Sequence, residues 1–548
     1  MKNFINRNIK NLKSTFFRFP LSCLMGLVIG ILMCFVVDDS PNSITISSFV
    51  ATLFVSLFIF IFIDLLNETL QEKFSSKLYR VFTYGIGGVM TWGIYHIMGR
   101  FWNDFSPKIF IYFIGFTMFF IVLSLFVEKI KNPEGHEFYV YRIVRGLFVS
   151  SFFSTITFMG ISLLLFSIST LFAFDFLGNY ILKAFVMTMG TLNLWLFLNN
   201  YPNINVYEEW LEPSLAKKVL KNILIPIEIV MSLILYTYFI QILFKGEMPL
   251  RIISYLAIVY GCIAGIIIFF SYREKVQSHV LIRYYFPISS LPLLGLMFFT
   301  MINRIKQFGL TENRYFVMVI GLFLTFYMVF NLLGRKRHNI LTLQVLSVLV
   351  LLSIIGPVSG YNLALKSQEN RFSSIIARNS SKLKDGELDF KKMEREDRKN
   401  LSSIVSYFRE RQELSRLNKG NLDIAKLEKV SETDTLQELS GITLVGKLDT
   451  KDISSYNTLS YVELNNSGSF NVVVEGGKVR FTLENQSLEY SFDELRKLAE
   501  GSTMDKPLVL DYEIEGKKVQ VILTDLGLYP SEDKEKYELY SFEGYLFQ

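Results

Sequence analysis

The sequence predicts a mainly α-helical membrane protein that ends in a water-soluble α+β tail. Of its 548 residues, 51% are hydrophobic and only 19% are charged, whereas soluble domains average about a quarter charged. Apolar runs near 20 residues long recur up to residue 358, and about that length of helix crosses a bilayer core of about 30 Å. The net charge is +12 over residues 1–365 and −6 over residues 366–548. The chain therefore combines a hydrophobic, basic front with an acidic tail of ordinary composition.

Eleven apolar runs are near spanning length, and we interpret residues 19–358 as a bundle of eleven transmembrane helices. The first run is predicted to be an uncleaved span, because no small-x-small cleavage site follows Val37. Residues 1–18 then form a cytoplasmic N-terminus. The runs are 19–37, 44–63, 81–99, 109–127, 147–173, 180–198, 223–244, 252–270, 285–302, 315–333 and 340–358.

Positive charge predicts the orientation, because Lys and Arg accumulate in cytoplasmic loops. With the N-terminus inside, the inner segments carry 21 Lys and Arg and the outer loops seven. An odd number of spans then places the tail outside the cell membrane. The basic residues lie in short clusters between apolar runs and accompany no recognition motif, so nucleic-acid binding is not expected.

The tail is predicted to contain a juxtamembrane helical segment, 359–430, and a β-rich domain, 431–548. In the first part, apolar residues recur at helical spacing, i, i+3, i+4 and i+7. In the second, two pairs of strand-like runs flank glycines, which is typical of hairpins, and Ser491 is placed to cap a short helix between them. The helical set is Leu401, Ile404, Val405 and Phe408; the strand-like runs are 470–474, 478–483, 508–513, 517–524 and 537–547.

The tail lacks the residues of several common catalytic sites. All four histidines and all three cysteines precede residue 366, so the tail has no Ser-His-Asp triad, thiol nucleophile or typical zinc site. No nucleotide-binding glycine loop occurs in the chain. We therefore assign no catalytic residue, metal ligand or cofactor.

Glu228 is the ionisable residue that best fits a transport pathway, since such groups within spans commonly mark one. It lies five residues into its predicted span and two after Pro226. It could instead be an interfacial carboxylate partly paired with Lys221. We see no chain of carboxylates within the predicted spans such as a proton-driven pump requires.

Two pairs of glycines have the small-xxx-small spacing that lets membrane helices approach closely. They are Gly26 with Gly30, and Gly261 with Gly265. We predict that both pairs mark helix contacts.

Two stretches of the chain carry a family resemblance. The first is Phe308-Gly-Leu-Thr-Glu-Asn-Arg-Tyr-Phe316, and the second is Gly356-Pro357 followed by Ser367-Gln-Glu-Asn-Arg371. Both resemble a bacterial family of multi-pass membrane proteins known as domain of unknown function 4153. The resemblance extends over about residues 140–420 and implies a bacterial multi-pass protein, but it supplies no activity or cofactor.

The first of these stretches has two physical interpretations. Thr311 is a good helix N-cap, and Arg314 and Tyr315 are suited to anchor a helix at the interface. Alternatively, a basic outer pocket, with a charge that departs from the rule for outer loops, could hold an anionic lipid head group or a cell-wall intermediate. The pocket residues would be Arg304, Lys306, Thr311 and Arg314.

Three functional hypotheses remain open. The chain could be a non-enzymatic envelope protein whose bundle positions the tail for sensing or for contact with envelope proteins or cell-wall components. It could be a transporter with a path past Glu228, or a membrane enzyme acting on lipid-linked substrates. In each case the immediate partners are membrane lipids.

Overall fold

The computed structural model describes most of residues 13–417 and, beyond them, mainly the backbone of separate strands. The parts not described between residues 13 and 417 are 39–42, 71–76, 103–106, 132, 134, 173–176, 203–217, 246–250, 272–280, 334–338, 380–382, 385–386 and 389–392. After residue 417 the described parts are the strands given below and Glu494. Residues 335–338, the basic stretch just before the last predicted span, thus lie outside the described residues.

Fourteen described helices follow the order of the predicted runs. They are α1 (Pro20–Val37), α2 (Ser43–Leu70), α3 (Lys77–Trp102), α4 (Pro107–Phe126), α5 (His136–Phe172), α6 (Leu177–Phe185), α7 (Asn193–Asn199), α8 (Ile225–Lys245), α9 (Arg251–Phe270), α10 (Phe286–Phe308), α11 (Glu312–Leu333), α12 (Asn339–Ile354), α13 (Gly360–Arg378) and α14 (Arg395–Glu410). Three π-helical segments, Val186–Leu192, Leu220–Leu224 and Leu281–Tyr285, lead directly into α7, α8 and α10.

Every predicted run contains a described helix, and eight of the described segments are long and apolar enough to cross a membrane. Two shorter apolar helices, Ser254–Phe270 and Asn339–Ile354, add to these. Helix α3 has 26 residues but belongs to neither group. The chain is thus a multi-pass membrane protein, and the count of eleven spans stays a prediction.

Helix bounds differ from the predicted runs where polar residues enter a helix or glycine ends one. Helix α2 continues past residue 63 to Leu70 and so includes Asp64 and Glu68. The fifth helix begins at His136, eleven residues before the predicted run. Helix α12 ends at Ile354, four residues early, because Gly356 adopts a positive φ of 87° and Pro357 follows it.

The helices pack around groups of buried apolar side chains. In the front half, one group joins α1, α2, α5 and α7 around Phe19, Leu65 and Leu198. In the second half, α8 to α11 pack around Tyr260, which is fully buried, and Met297. These cores fix the rotation of each helix and decide which polar side chains face inward.

The chain divides into two compact units. The first comprises Met1–Ser381 with Tyr407–Leu417, and the second comprises Lys382–Ser406 with Asn418–Gln548. The helix predicted from Leu401, Ile404, Val405 and Phe408 is confirmed as part of α14, and all four side chains are buried.

The strands of the tail pair antiparallel in three sheets. The strands are β1 (Leu383–Lys384), β2 (Glu387–Leu388), β3 (Ile442–Val445), β4 (Leu459–Glu463), β5 (Phe470–Glu475), β6 (Lys478–Leu483), β7 (Gln486–Ser491), β8 (Leu508–Ile514), β9 (Lys517–Pro530) and β10 (Tyr537–Phe547). Strand β1 pairs with β2; β5, β6 and β7 form a three-stranded sheet; and β3, β9, β10 and β4 form a ladder in which β8 also pairs with β9. That these strands form one folded domain stays a prediction.

Ser491 and Glu494 form a reciprocal capping arrangement. The Glu494 carboxylate accepts hydrogen bonds from the Ser491 amide at 2.8 Å and from its hydroxyl at 2.9 Å, and the Glu494 amide donates to that hydroxyl at 3.3 Å. This is the local geometry of a helix N-terminus. The short helix predicted beyond it lies outside the described residues.

Candidate functional sites in the helical bundle

The loop between α10 and α11 is held by side chains of α13, so the two stretches that carry the family resemblance lie against each other. The Gln368 amide donates to the carbonyl oxygens of Phe308 at 3.1 Å and Leu310 at 3.0 Å. Arg371 also donates to Phe308, at 3.0 Å. These donors satisfy carbonyl groups that the end of α10 leaves without helical partners. Gly309 has a φ of +71°, and a Cβ atom there would lie 2.7 Å from the Gln368 amide nitrogen.

Glu312, Tyr407 and Arg411 form a cluster that we call the tail clamp. Arg411 binds the carboxylate with two hydrogen bonds, Nε to Oε1 at 2.8 Å and Nη2 to Oε2 at 3.1 Å. The Tyr407 hydroxyl donates to Oε1 at 2.9 Å, and the Arg411 guanidinium lies 3.6 Å from the Tyr407 ring centroid. Paired charges of this geometry are the strong class of hydrogen bond.

The tail clamp is largely removed from water. The Arg411 and Glu312 side chains are only 13% and 10% exposed. Burial and the nearby Glu312 carboxylate raise the pKa of the Tyr407 hydroxyl, so Tyr407 remains a hydrogen-bond donor throughout the physiological range. The clamp ties residues 407–411, 95 or more positions along the chain, to the first turn of α11.

The residues of the predicted basic pocket lie at the end of the bundle where α10 ends at Phe308 and α11 begins at Glu312. We call this end the tail end. Thr311 directly precedes α11 in the N-cap position, and its carbonyl accepts the amide of Tyr315 at 2.9 Å. Arg314 donates to the carbonyl oxygens of Phe308 and Gly309. Arg304 is partly exposed and Lys306 is exposed. Arg314 is thus held against the backbone of the loop between α10 and α11. That the pocket binds a lipid stays a prediction.

Glu228 lies in the first turn of α8 and is completely buried. Neither carboxylate oxygen has a hydrogen-bond partner in the described part of the chain. The backbone of Ala264 on α9 is the nearby polar group, but it makes no bond of ordinary geometry with the carboxylate. Burial without partners is costly for a carboxylate, which makes this position a candidate for binding a cation or a substrate group.

Hydroxyl groups follow Glu228 along the inner face of α8. Ser232 and Tyr236, at i+4 and i+8, lie on the same side of the helix. Ser232 shares a hydrogen bond of 2.6 Å with Tyr285, and Tyr236 donates to the Ser289 carbonyl at 2.9 Å. The Ser289 hydroxyl lies 2.6 Å from that of the fully buried Tyr260. A polar seam thus joins α8, α9 and α10 next to Glu228.

At the opposite end of the bundle, Arg18 connects four separate segments of the chain. Its guanidinium binds Glu68 with two bonds of 2.7 and 2.9 Å and reaches Glu128 at 3.5 Å. It also donates to the carbonyl oxygens of Tyr201 and Pro202, both at 2.8 Å. Burial lowers the pKa of Arg18, but the Glu68 hydrogen bond and the charges of both carboxylates outweigh it and leave a raised pKa. We call Arg18, Glu68 and Glu128 the Arg18 cluster.

The sequence interpretation missed the Arg18 cluster, and it counted Arg18 only as a loop cation. The partners lie 50, 110 and 183 residues away, so no local pattern connects them. Asp64, Glu68 and Glu128 come close together at this end of the described structure, because α2 extends beyond the predicted run. All three lie outside the predicted spans, in which we see no chain of carboxylates. The available signal was the acidic spacing of Asp64 and Glu68, i and i+4 on one helix face.

Both predicted glycine pairs lie in close contact with other helices of the same chain. A Cβ atom on Gly26 or Gly30 would meet Leu194 or Thr191, on or just before α7. The Thr191 hydroxyl donates to the Gly26 carbonyl at 3.1 Å. A Cβ on Gly261 would lie 3.0 Å from Leu324, and one on Gly265 would lie 3.5 Å from Tyr327. These contacts are intramolecular.

Among the residues with a described placement, no group of three His, Cys, Asp or Glu side chains could hold a metal ion.

The comparisons with known proteins concern the helical bundle. No curated protein and no solved structure matches the chain. The family model described as domain of unknown function (DUF4153) matches residues 25–384, a longer stretch at the N-terminal side than the motifs indicated. The match covers most of the helical bundle together with the loop that α13 holds, and the chain therefore belongs to the DUF4153 family.

Proposed function

We propose that this protein is a bacterial cell-membrane protein whose helical bundle presents an extracytoplasmic tail for sensing or for contact with envelope components. The tail clamp carries the proposal. It joins the start of α11 to residues 407–411 by buried charges, and residues 418–548 follow that segment in the chain. The side of the membrane is supported by the distribution of Lys and Arg.

The hydrogen bonds around α13 support the same proposal. The Tyr315 hydroxyl donates to the Val358 carbonyl at 2.8 Å, and a Cβ atom on Gly360 would lie 2.6 Å from the Tyr315 ring. The polypeptide that leaves the last span is thus bound to the tail end on both sides of residue 360. A conformational change at the start of α11 would therefore be felt directly by the residues that lead into α13.

Glu312→Gln is expected to loosen residues 407–417 because it removes the negative charge that Arg411 and Tyr407 bind. Hydrogen exchange of full-length protein in lipid nanodiscs, followed by mass spectrometry, should show roughly thirtyfold faster exchange in this segment, which corresponds to about 2 kcal/mol. The matched control is Glu410→Gln: this neighbouring carboxylate also lies 3.6 Å from the Arg411 guanidinium, but it is 69% exposed, so its loss should change exchange little. Equal exchange in both variants would show that the clamp does not hold the tail.

The role of the tail is tested in cells. Removing residues 440–548 should reproduce the phenotype of deleting the whole gene, and Glu312→Gln should reproduce part of it. An alkaline phosphatase fused after Gln548 should be active, since that enzyme folds outside the cytoplasm. A silent phosphatase fusion, or full complementation by the truncated chain, would overturn the proposal.

A second candidate function is transport along the polar seam next to Glu228. The observation that favours it is the complete burial of a carboxylate whose two oxygens both lack hydrogen-bond partners in the described structure. Such a group is expensive to retain in a membrane helix without a role, at roughly 3 kcal/mol on insertion scales.

Glu228→Gln distinguishes transport from tail presentation. The amide keeps the size of the side chain, so the protein should fold and reach the membrane at the wild-type level. If Glu228 binds a transported cation or substrate group, the variant should fail to complement the gene deletion, while removal of residues 440–548 should have little effect. Complementation by Glu228→Gln at the wild-type level would rule out the transport proposal.

A further inference from the structure

A second buried polar site lies between α2 and α3 and belongs to neither of the functions proposed above. We define the α2–α3 polar site by four side chains that face each other across the two helices: Asp64, Asn67, Thr83 and Tyr84. Asp64, Asn67 and Thr83 are each between 3% and 6% exposed. Asp64 and Asn67 are three residues apart, so they point to the same side of α2.

The bonds within this site leave one oxygen of Asp64 without a partner. The Tyr84 hydroxyl donates to Oδ1 of Asp64. The second oxygen, Oδ2, is buried and accepts no hydrogen bond in the described structure. An ionised carboxylate inside a membrane helix with a single donor is strongly unfavourable, whereas a protonated one is neutral.

The hydroxyl proton of Thr83 determines how Asn67 is oriented. The Thr83 hydroxyl lies 2.9 Å from the carbonyl oxygen of Arg80 and 2.9 Å from the amide oxygen assigned on Asn67. One hydroxyl proton makes only one of these bonds well. The amide of Asn67 can be turned by 180° without moving other atoms, and the Thr83 hydroxyl then donates to Arg80 and accepts from the Asn67 nitrogen.

The turned orientation changes the chemistry of the site. The Asn67 atom that has no partner, assigned as Nδ2, becomes an oxygen. Both unpartnered atoms of the site are then oxygens, on Asp64 and Asn67. Two buried acceptors with no donor favour a protonated carboxyl group, which can donate towards Asn67 through one water, since the two atoms are not in direct hydrogen-bond contact.

We propose that the α2–α3 polar site binds a proton, with Asp64 as the carboxylic acid and the Asn67 side-chain oxygen as the acceptor reached through one water. In the exchange step the O–H bond on Asp64 breaks and an O–H bond forms on a neighbouring carboxylate, with no other bond changed. Glu68, at i+4 on α2 and 26% exposed, is that carboxylate. It connects the site to water at the Arg18 end of the bundle.

Charged and titratable groups surround Asp64 from each packed element. Tyr84 and Arg80 lie on α3, Arg18 and Cys23 approach from the side of α1, Glu68 is on α2 itself, and Glu128 follows α4. The two arginines lie nearer the end of the bundle, where Arg18 is bound by Glu68. No cation is hydrogen-bonded to Asp64 in the described residues.

Labelling with dicyclohexylcarbodiimide tests the proposal, because this reagent modifies protonated carboxyl groups in apolar surroundings. In protein reconstituted in vesicles at pH 7, mass spectrometry should find Asp64 modified at least about tenfold more than Asp38, an exposed residue paired with Lys183. An exposed carboxylate that is paired with a cation, such as that of Asp38, is a poor substrate for this reagent. Labelling of Asp64 should fall as the pH is raised.

Variants and a second measurement keep the test decisive. Asp64→Asn should lose the label, and the matched control Asp38→Asn should retain it. Infrared spectra at pH 7 should show a protonated carboxyl band with the same intensity in wild type and Asp38→Asn and a lower intensity in Asp64→Asn. Equal intensity in wild type and Asp64→Asn would overturn the proposal, whatever the labelling shows. Protection of Asp64 by sodium chloride but not by choline chloride would overturn it in favour of a sodium site.

Discussion

Arg18→Met should lower the free energy of unfolding of the bundle by about 3–5 kcal/mol, the cost expected when a buried ion pair loses one partner. The change leaves Glu68 and Glu128 facing each other, with the Glu128 side chain only 1% exposed. It also removes the donors to the carbonyl oxygens of Tyr201 and Pro202. Thermal unfolding of the purified protein in detergent measures the loss.

The pH dependence of this variant has a definite sign. Without the guanidinium, the folded state favours a proton shared by the two carboxylates and so binds more protons than the unfolded chain. A state that binds more protons is stabilised as the pH falls, so the deficit of Arg18→Met should shrink between pH 8 and pH 5. Arg18→Met combined with Glu128→Gln should recover part of the lost stability at pH 8.

Lys13→Met is the matched control for Arg18→Met, since Lys13 is an exposed cation of the same N-terminal segment. It should leave the unfolding temperature nearly unchanged. If both variants unfold alike, the Arg18 cluster contributes only general charge. A deficit of Arg18→Met that does not depend on pH would show that packing, rather than the two carboxylates, causes the loss.

Gly30→Leu is expected to have the second largest effect, a loss of about 2–3 kcal/mol typical of overpacking. A Cβ atom on Gly30 would collide with the Thr191 hydroxyl and lie 3.2 Å from the Met187 sulfur. Both side chains lie on the π-helical segment Val186–Leu192, so α1 would have to move away from it. Thermal unfolding together with the yield of folded protein reports the change.

Gly88→Leu is the control for Gly30→Leu. Gly88 is also a helical glycine, on α3, but a Cβ atom there meets no atom within 4 Å. Its replacement should leave stability unchanged or raise it slightly, because glycine is a poor helix former. Similar losses at both positions would mean that helix propensity, rather than the contact of α1 with residues 187–191, determines the result.

The sequence predicted the helices well because each helix is determined by the composition of its own residues. An apolar run of spanning length forms a helix in lipid whatever its neighbours are. The N-cap position of Thr311 and the inner face of α14 follow from spacing alone in the same way. The three π-helical segments had no such signal, since their composition does not differ from that of the α-helices they precede.

The polar sites could not be predicted because their partners are remote in the chain. Glu312 lies in the first turn of α11, where a carboxylate is favourable without any remote partner, but Arg411, 99 residues later, binds it. Asp64 was overlooked because it follows the last apolar residue of its run. Glu228 was identified from its position within a span, but its lack of hydrogen-bond partners required the positions of α9 and α10.

The contacts of Arg18 have a consequence for biogenesis. Three of the four segments that Arg18 connects are synthesised after α1, and the carbonyl groups of Tyr201 and Pro202 come last. The guanidinium can therefore complete its contacts only after α7 has been synthesised. We consequently expect the front half to complete its assembly late, after its helices have been inserted.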